Sequence, residues 1–354
     1  MFTPGSIKFG EQPIAMRKTI LINVLVFIVL LLGLELMSFL ILNDEGNEKP
    51  FLLNYVSLKS NTPLHPLLGW SHNIGAFPDQ INQYSLGFTY FRTDSVGSRK
   101  PIRIAVVGGS TSDNNYQNEA WPRFLAQELR QNGYSAEIYN GAVRGYSSSQ
   151  ELLKVVSEVV VLKPDIIISY SGVNERIVGD QQQHPYITEF ETKLYDMFAG
   201  KPSSTFFPNL VACMGRLRKK MGLEKGKVDL GIVNENSFAQ QWINNMKMMK
   251  GISDQLGIKF VAFLQPTLGI GRYTISEEER EYMVQGYPDF PLFYDEAIPL
   301  SKECDFIVDF TDVFEFEKNL YWDECHVTLE GNRIVSKHIY NELLNRGFIL
   351  KTGN

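Results

Sequence analysis

Two kinds of hydrophobic pattern alternate along the chain from residue 102 onward. Short unbroken apolar runs are typical of buried β-strands, and runs with apolar residues three and four apart are typical of helices. The strand-like runs are 102–109, 136–143, 164–172, 258–266 and 305–311. The helix-like runs are 119–133, 147–163, 237–256, 276–287 and 328–347. Strands that are apolar on both faces and alternate with helices indicate a parallel sheet covered on both sides. We therefore expect a three-layer α/β/α sandwich around a five-stranded parallel sheet.

A longer apolar run precedes this region at residues 19–42, and only Asn23 and Glu35 interrupt it. About 20 apolar residues match the thickness of the hydrocarbon core of a bilayer. A cleaved signal peptide has a shorter apolar core followed by small residues at the cut site, and this run has neither property. The sequence predicts an uncleaved transmembrane anchor at 19–42.

Charges on the two sides of this run predict its orientation. The basic pair Arg17–Lys18 precedes it and the acidic pair Asp44–Glu45 follows it. Positively charged flanks stay in the cytoplasm, so we expect residues 1–18 to be cytoplasmic and 44–354 to lie on the outer side of the membrane. A charge inside a span is costly, so Glu35 is either offset by the surrounding leucines or contacts a membrane-protein partner.

Composition fits one large domain behind an N-terminal extension. Residues 43–101 are rich in Pro, Asn, Ser and Gly and predict a connector, whereas 102–348 carries the alternating pattern, with insertions at about 176–235 and 267–303. The 354 residues have a mildly acidic net charge of -6 and show no basic stripe. This charge pattern excludes nucleic acid as an expected partner.

Three cysteines fall in the part placed outside the cytoplasm. An oxidising compartment permits one disulfide. Cys304 and Cys325 are the favoured pair because they flank the same predicted strand and loop, and Cys213 is then left over. Reduced, buried cysteines are an equally open alternative. No spacing of Cys and His typical of a metal site is present, and no cofactor is expected.

Candidate chemistry follows the strands, because ligand sites in such sheets lie at the carboxyl ends of the strands. The stretch GGSTSDNN at 108–115 exposes Ser110 on a tight turn, as a nucleophile requires. No Gly-Lys-Ser/Thr follows it, so a phosphate-binding loop is not indicated. Gly145 in NGAVRGYSS and Asn174 in SGVNE are each able to offer an N–H to a developing oxyanion. Each motif alone is ordinary turn chemistry.

The stretch DECHVTLEGN places Asp323 three residues before His326, where the last helical pattern begins. A carboxylate at this position accepts a hydrogen bond from imidazole Nδ1 and fixes the tautomer, which leaves Nε2 for a nucleophile. A surface histidine beside a capping aspartate has the same spacing, so the pair is informative only together with the other motifs.

Taken in order, these motifs resemble the SGNH (GDSL-type) hydrolases, in the membrane-anchored bacterial form with GGST in place of Gly-Asp-Ser. The resemblance covers about 102–346 and rests on VVGGST, NGAVRGYSS, KPDIIISYSGVNE, FLQPTL and DECHVTLEGN. The segment HPLLGW at 65–70 is similar to one that precedes the domain in such proteins. This sequence departs from the founding pattern at Gly109 and Glu175, where that pattern has Asp.

The resemblance implies a flavodoxin-like fold and a set of roles. Ser110 would be the nucleophile, His326 the base and Asp323 the residue that orients it. The amides of Ser110 and Gly145 and the side chain of Asn174 would form the oxyanion hole.

The expected function is a serine esterase that acts on carboxylic esters, O-acetyl groups on carbohydrate in particular. Its location would be the cytoplasmic membrane of a bacterium, with the catalytic domain facing outward. One alternative is an O-acyltransferase that passes the acyl group to a cell-surface glycan. Another is a non-catalytic, membrane-tethered assembly factor of the same fold, which Glu35 and the two insertions motivate. A lipase ranks lower because no long apolar lid is evident.

Overall fold

The computed structural model describes most of the chain from residue 14 to residue 350. The described ranges are 14–44, 64–65, 67–72, 87–93, 100–114, 119–177, 237–285 and 290–350. The chain divides into two compact units, 1–59 with 198–228 and 60–197 with 229–354.

The first unit contains helix α1, Ile14–Asp44, which covers the predicted anchor at 19–42. Most large apolar side chains described in this helix are exposed, from Ile22 to Leu40. The side chains of α1 are described at residues 22–38 and 40. Among the residues whose side chains are described, no helix is long and apolar enough to cross a membrane. The transmembrane anchor is not supported by the structure and stays a prediction from the sequence.

The second unit is built on β-strands that form a mixed sheet and a separate hairpin. The strands are β1 Leu64–His65, β2 Gly69–Trp70, β3 Thr89–Thr93, β4 Ile102–Gly108, β5 Ala136–Asn140, β6 Ile166–Ser171, β7 Lys259–Leu264 and β8 Ile307–Asp309. The sheet has six strands in the order β3-β5-β4-β6-β7-β8. Five of them are parallel, and the edge strand β3 runs antiparallel to β5. The two-stranded hairpin β1-β2 precedes the sheet.

The five predicted parallel strands are confirmed, but the expected purely parallel, five-stranded sheet is wrong at one edge. Strand β3 pairs with β5 from Thr89 opposite Asn140 to Thr93 opposite Ala136. The Thr93 hydroxyl also accepts the backbone N–H of Ala136 at 2.9 Å. An antiparallel edge strand can keep one face partly solvated, and Arg92 is exposed. For this reason β3 lacks the unbroken apolar run that marked the other strands.

Helices cover both faces of the sheet, so the three-layer prediction is confirmed. The described helices of this unit are α2 Trp121–Gln131, α3 Ser148–Lys154, α4 Asn174–Ile177, α5 Phe238–Gln255, α6 Glu277–Gln285, α7 Phe290–Ser301 and α8 Leu329–Asn345. Helices α2 and α8 pack on one face, and α3, α5 and α7 pack on the other. Alternation along β4 shows the division, because Ile104 and Val106 face the first layer whereas Ala105 and Val107 face the second.

The predicted helix at 147–163 is interrupted. After α3 the chain continues as a π-helical turn, Val155–Val159, and a short 3₁₀ turn, Val160–Leu162. Lys154 is fully buried at this junction, where its Nζ lies 2.7 Å from Glu158 Oε2. His65 of β1 reaches the same carboxylate at 3.0 Å. The hairpin β1-β2 is thereby attached to the helical layer, so part of the predicted connector 43–101 belongs to the folded unit.

Of the two alternatives for the cysteines, the reduced, buried form is confirmed for Cys304 and Cys325, and the disulfide between them is wrong, because both are free. Cys304 precedes β8 and packs in the core with α5 and α7, whereas Cys325 follows that strand and packs against Val173. The two ends of a strand lie at opposite edges of a sheet, so flanking the same strand separates the two sulfurs rather than joining them. Cys213 lies outside the described residues.

The two predicted insertions have different outcomes. Residues 178–236 lie outside the described part, so the first insertion, at about 176–235, stays a prediction. The second insertion, 267–303, contains the predicted helix as α6 and a further helix, α7.

Candidate active site

The candidate nucleophile lies on the tight turn that follows β4. Ser112 N–H donates to Gly109 O at 3.1 Å, and Asp113 N–H donates to Ser110 O at 3.2 Å. A Cβ atom on Gly108 would overlap the Tyr170 carbonyl oxygen, so the strand has to end in glycine for the turn to close. The turn holds Ser110 at the carboxyl edge of the sheet with 7% of its surface exposed.

A histidine and an aspartate from the turn before α8 complete a hydrogen-bonded chain with this serine. His326 Nε2 lies 2.7 Å from Ser110 Oγ, and His326 Nδ1 lies 2.6 Å from Asp323 Oδ2. With Nδ1–H donating to the carboxylate, Nε2 is free to accept the serine proton. The structure therefore brings together three of the residues that the sequence singled out.

The turn that holds this pair is fixed by its own backbone. Asp323 Oδ1 accepts the N–H groups of His326 at 2.6 Å and Cys325 at 2.9 Å. Thr328 then caps α8 by accepting the N–H of Gly331. The imidazole is thus anchored on a rigid element, as a precisely placed base requires.

Asp323 is suited to remain ionised. Its partial burial acts to raise its pKa, but the hydrogen bond and electrostatic attraction of His326 and the two backbone N–H groups outweigh this effect and lower the pKa. An ionised carboxylate holds the Nδ1–H tautomer and stabilises the imidazolium that forms when Nε2 takes a proton.

The loop after β5 presents the Gly145 amide. Tyr146 N–H donates to Val143 O at 3.1 Å, and Gly145 has a φ of +80° at the third position of this four-residue turn. Arg144 does not have positive φ, so the turn is of type II, which requires glycine at that position. In such a turn the Arg144–Gly145 peptide is reversed relative to type I.

Asn174, the first residue of α4, approaches the nucleophile turn closely. Its Nδ2 donates to Tyr146 O at 2.9 Å, which fixes the amide and leaves a second N–H. A Cβ atom on Gly109 would overlap this Nδ2. In this chain, which departs from the family pattern at residue 109, the amide of Asn174 lies where a side chain of residue 109 would begin.

Two supporting residues were not found from the sequence. Buried His72 has its Nε2 3.0 Å from both Asp113 Oδ1 and Ala142 O, and Asp113 Oδ2 accepts the N–H of Arg144 at 3.0 Å. Together they tie the nucleophile turn to the loop that carries Gly145. Asp113 is only three residues from Ser110, but no local pattern marks His72, which follows the hairpin β1-β2.

A third residue missed from the sequence is Trp322. Its indole stacks on the imidazole of His326, with ring centroids 4.9 Å apart and an interplanar angle of 18°. It directly precedes Asp323, so its position beside the motif was the available signal.

Buried carboxyl groups lie behind the site. Glu175 accepts the backbone N–H of Ser148 at 2.6 Å and its hydroxyl at 2.8 Å. Glu151 accepts the hydroxyl of Ser169 at 2.6 Å. Burial raises the pKa of Glu175 to about 7 and that of Glu151 to about 8, although these hydrogen bonds act to lower both. The second departure from the family pattern, at Glu175, thus caps the start of α3.

Within the described residues, one group of side chains has the spacing of metal ligands: Asp323, Cys325 and His326, whose ligand atoms lie within 4.8 Å of one another. His326 Nδ1 and Asp323 Oδ2 already bond to each other. Burial, followed by the charge of Asp323, raises the pKa of the Cys325 thiol well above its usual value, so it is a poor thiolate ligand. The hydrogen bonds account for the arrangement without an ion.

Comparison with known proteins gives a family match over residues 93–339, to GDSL-like lipase/acylhydrolase. No curated protein matches the chain by sequence. Solved structures that are similar include three enzymes of 13–14% identity. They are the acetyl xylan esterase AlAXEase (14% identity, 69% of this chain and 100% of that one, TM-score 0.42), a lipase/acylhydrolase from Enterococcus faecalis (13%, 72% and 100%, 0.40) and a GDSL-like lipase from Bacteroides thetaiotaomicron (14%, 70% and 93%, 0.38).

Proposed function

Since the chain belongs to the GDSL-like lipase/acylhydrolase family, whose members act on ester bonds, we propose that it is a serine esterase whose nucleophile is Ser110. The observation that carries this proposal is the continuous hydrogen-bonded chain from Ser110 Oγ through His326 to Asp323, at 2.7 and 2.6 Å. A nucleophile, its base and the group that orients the base are the three parts that covalent ester hydrolysis requires.

The reaction proceeds in two halves. Ser110 Oγ bonds to the ester carbonyl carbon while its proton passes to His326 Nε2. The tetrahedral intermediate then breaks its bond to the alcohol oxygen, which takes the proton from Nε2 and leaves as the free alcohol. Water attacks the acyl-serine, gives a proton to Nε2, and the carboxylic acid departs as that proton returns to Ser110.

Three N–H groups are assigned to the negative oxygen of the intermediate: the amides of Ser110 and Gly145 and the side chain of Asn174. The type II turn at Gly145 and the hydrogen bond from Asn174 to Tyr146 hold two of these donors before substrate arrives. Donors that are already oriented in a largely buried site stabilise developing charge without a cost of reorganisation.

The proposed substrate is a small ester, an O-acetyl group on carbohydrate. An apolar groove lies beside α3 and α5, lined by Leu67, Leu152, Leu153, Val156, Ser157, Met248, Gly251, Ile252, Gln255 and Leu256. None of these residues belongs to the proposed catalytic set, so this groove is not offered as the acyl site. The preference for a short acyl group over a lipid chain rests on the sequence, in which no long apolar lid is evident.

Location is a separate part of the proposal and rests on the sequence alone. The apolar run at 19–42 and the basic pair before it favour attachment to the cytoplasmic membrane of a bacterium with the catalytic unit outside. Glu35 is the point at which a membrane-protein partner would bind. Fractionation of cells, with protease added to intact spheroplasts, tests this: recovery of intact chain in the soluble fraction would contradict it.

Labelling of the full-length chain with a fluorophosphonate probe tests the catalytic proposal. We expect phosphonylation at Ser110, its loss in Ser110→Ala and His326→Ala, and wild-type labelling in the control Ser157→Ala, which changes a serine of the π-helical turn. A folded wild-type chain that is not labelled would overturn the proposal and favour the non-catalytic alternative. Product analysis with a glycan acceptor then separates hydrolysis from acyl transfer.

A further inference from the structure

Trp322 is held rigidly over the proposed base. Its indole stacks on His326, while its Nε1–H donates to Val327 O and its backbone N–H donates to His326 O, both at 3.1 Å. The Tyr321–Val327 bridge closes the same turn. The ring is therefore fixed before any ligand binds, and ordering it on binding costs little entropy.

The turn is also fixed from the neighbouring loop. The carbonyl oxygen of Glu324 accepts the hydroxyl of Thr267 at 2.7 Å and the backbone N–H of Leu268 at 2.9 Å. Although it is held from both sides, Trp322 remains 43% exposed. Large aromatic side chains usually bury most of their surface, so a rigid, exposed indole one ring away from the nucleophile is a candidate contact surface for substrate.

The chemistry of the base decides which part of the substrate this surface meets. His326 Nε2 takes the Ser110 proton and then delivers it to the oxygen of the leaving alcohol. That oxygen has to come within hydrogen-bond distance of Nε2, so the alcohol part of the ester lies on the imidazole side of the site. Trp322 covers that imidazole, so its exposed surface lies where the alcohol extends.

We propose that Trp322 forms an alcohol subsite in which a sugar ring stacks on the indole. This inference rests on the proposed esterase function and identifies the alcohol half of its substrate. The indole face carries partial negative charge, and one face of a pyranose presents C–H groups with partial positive charge. The indole N–H is occupied by Val327, so the side chain offers its π surface rather than a hydrogen-bond donor. An exposed position also leaves the sugar hydroxyls in water, where their hydration is kept.

The proposal predicts a loss that depends on the alcohol. Steady-state kinetics of the full-length chain would compare glucose pentaacetate, whose alcohol is a pyranose, with ethyl acetate, whose alcohol has no ring. Trp322→Ala should lower kcat/KM for the sugar ester about tenfold, and Trp322→Phe should lose less because it keeps an aromatic face. Ethyl acetate hydrolysis should lose clearly less than sugar-ester hydrolysis in both variants, because ethanol has no ring to stack on the indole. Leu256→Ala, at an exposed apolar residue after α5 and before the start of β7, should leave both substrates unchanged.

Two results would overturn this inference. An equal loss with both esters would show that Trp322 positions His326 and does not bind the alcohol. Unchanged kinetics of Trp322→Ala with glucose pentaacetate would show that no sugar stacks there. Phosphonylation of Ser110 in the wild type, measured beside these assays, tells failure of the subsite from failure of the esterase proposal, because it requires no alcohol.

Discussion

The side-chain amide of Asn174 lies over the Cα of Gly109, in the space that any side chain at residue 109 would occupy. Gly109 directly precedes the proposed nucleophile, so this contact brings an oxyanion donor next to Ser110. In this structure the amide of Asn174 and a side chain at residue 109 would compete for the same space.

Gly109→Ala should therefore reduce catalysis more than stability. The new Cβ would displace Asn174, and loss of one oxyanion donor typically costs about 10²–10³ in rate. Measurement of kcat with a soluble acetate ester and of thermal unfolding checks this. The matched control is Gly251→Ala in α5, where a Cβ meets nothing within 4 Å. That control should keep its activity, and a Gly109→Ala enzyme of wild-type rate would contradict the assignment of Asn174.

Asp323→Asn should keep the fold but lose most of the rate. The amide cannot hold the Nδ1–H tautomer and carries no charge to stabilise the imidazolium, for which about 10⁴-fold in kcat is the typical cost. Esterase assays on the purified variant give the result. Asp312→Asn, which disturbs a surface pair with Arg272, is the control and should be active. An active Asp323→Asn enzyme would remove Asp323 from the mechanism.

His72→Leu should loosen the loop that carries Gly145. Asp113 Oδ1 and Ala142 O both lose this buried donor, so we expect about 1–3 kcal/mol of destabilisation. Displacement of the loop should also lower kcat, by about tenfold to a hundredfold, since small shifts in a catalytic array are costly. Chemical denaturation and kinetics measure the two effects.

The control for this variant lies on the hairpin that precedes His72. His65→Leu removes the contact with Glu158 on the other side of β1-β2, away from the nucleophile turn. It should destabilise the hairpin without lowering kcat. Equal kcat in the two histidine variants would show that His72 has no part in positioning the loop.

Stability should depend on pH through Glu151. Its folded-state pKa is raised to about 8, so between the unfolded value near 4.5 and about pH 8 the folded chain holds a proton that the unfolded chain has released. The folding stability that this proton contributes is fully present below the unfolded pKa and is lost as pH rises to about 8. The unfolding temperature of Glu151→Gln, measured from pH 5 to 9, should fall less with rising pH than that of the wild type. The control Glu278→Gln changes an exposed carboxyl and should show the same dependence of unfolding temperature on pH as the wild type. The same dependence in Glu151→Gln would show that the Glu151 carboxyl is already ionised in the folded chain.

The parts of the fold that the sequence predicted are those in which local pattern and burial coincide. All six residues of Ile166–Ser171 are buried and the run opens with three isoleucines, so the strand was evident. Strand β3 was missed because it is a half-covered edge that pairs with a later segment. The cysteine pairing failed because sequence proximity to β8 was read as spatial proximity.

The residues of the candidate site also divide into those with a local pattern and those without one. The rule that sites lie at the carboxyl ends of strands applies directly to residues that follow strands or begin helices. These residues are Ser110, Gly145, Asn174 and the Asp323–His326 pair. The contact of His72 with Asp113 depends on tertiary packing and leaves no local pattern. Trp322 stands beside the motif, but its stacking depends on the closure of the turn from Tyr321 to Val327.

The attachment of the hairpin β1-β2 also sets the minimum length of a working fragment. A truncation beginning at β4 would retain every proposed catalytic residue, yet it would remove His72 from the nucleophile turn and β3 from the edge of β5. An uncovered strand edge invites pairing with other chains. Such a fragment should aggregate and hydrolyse esters slowly. An expressed catalytic unit should therefore begin before Leu64 and not at the first parallel strand.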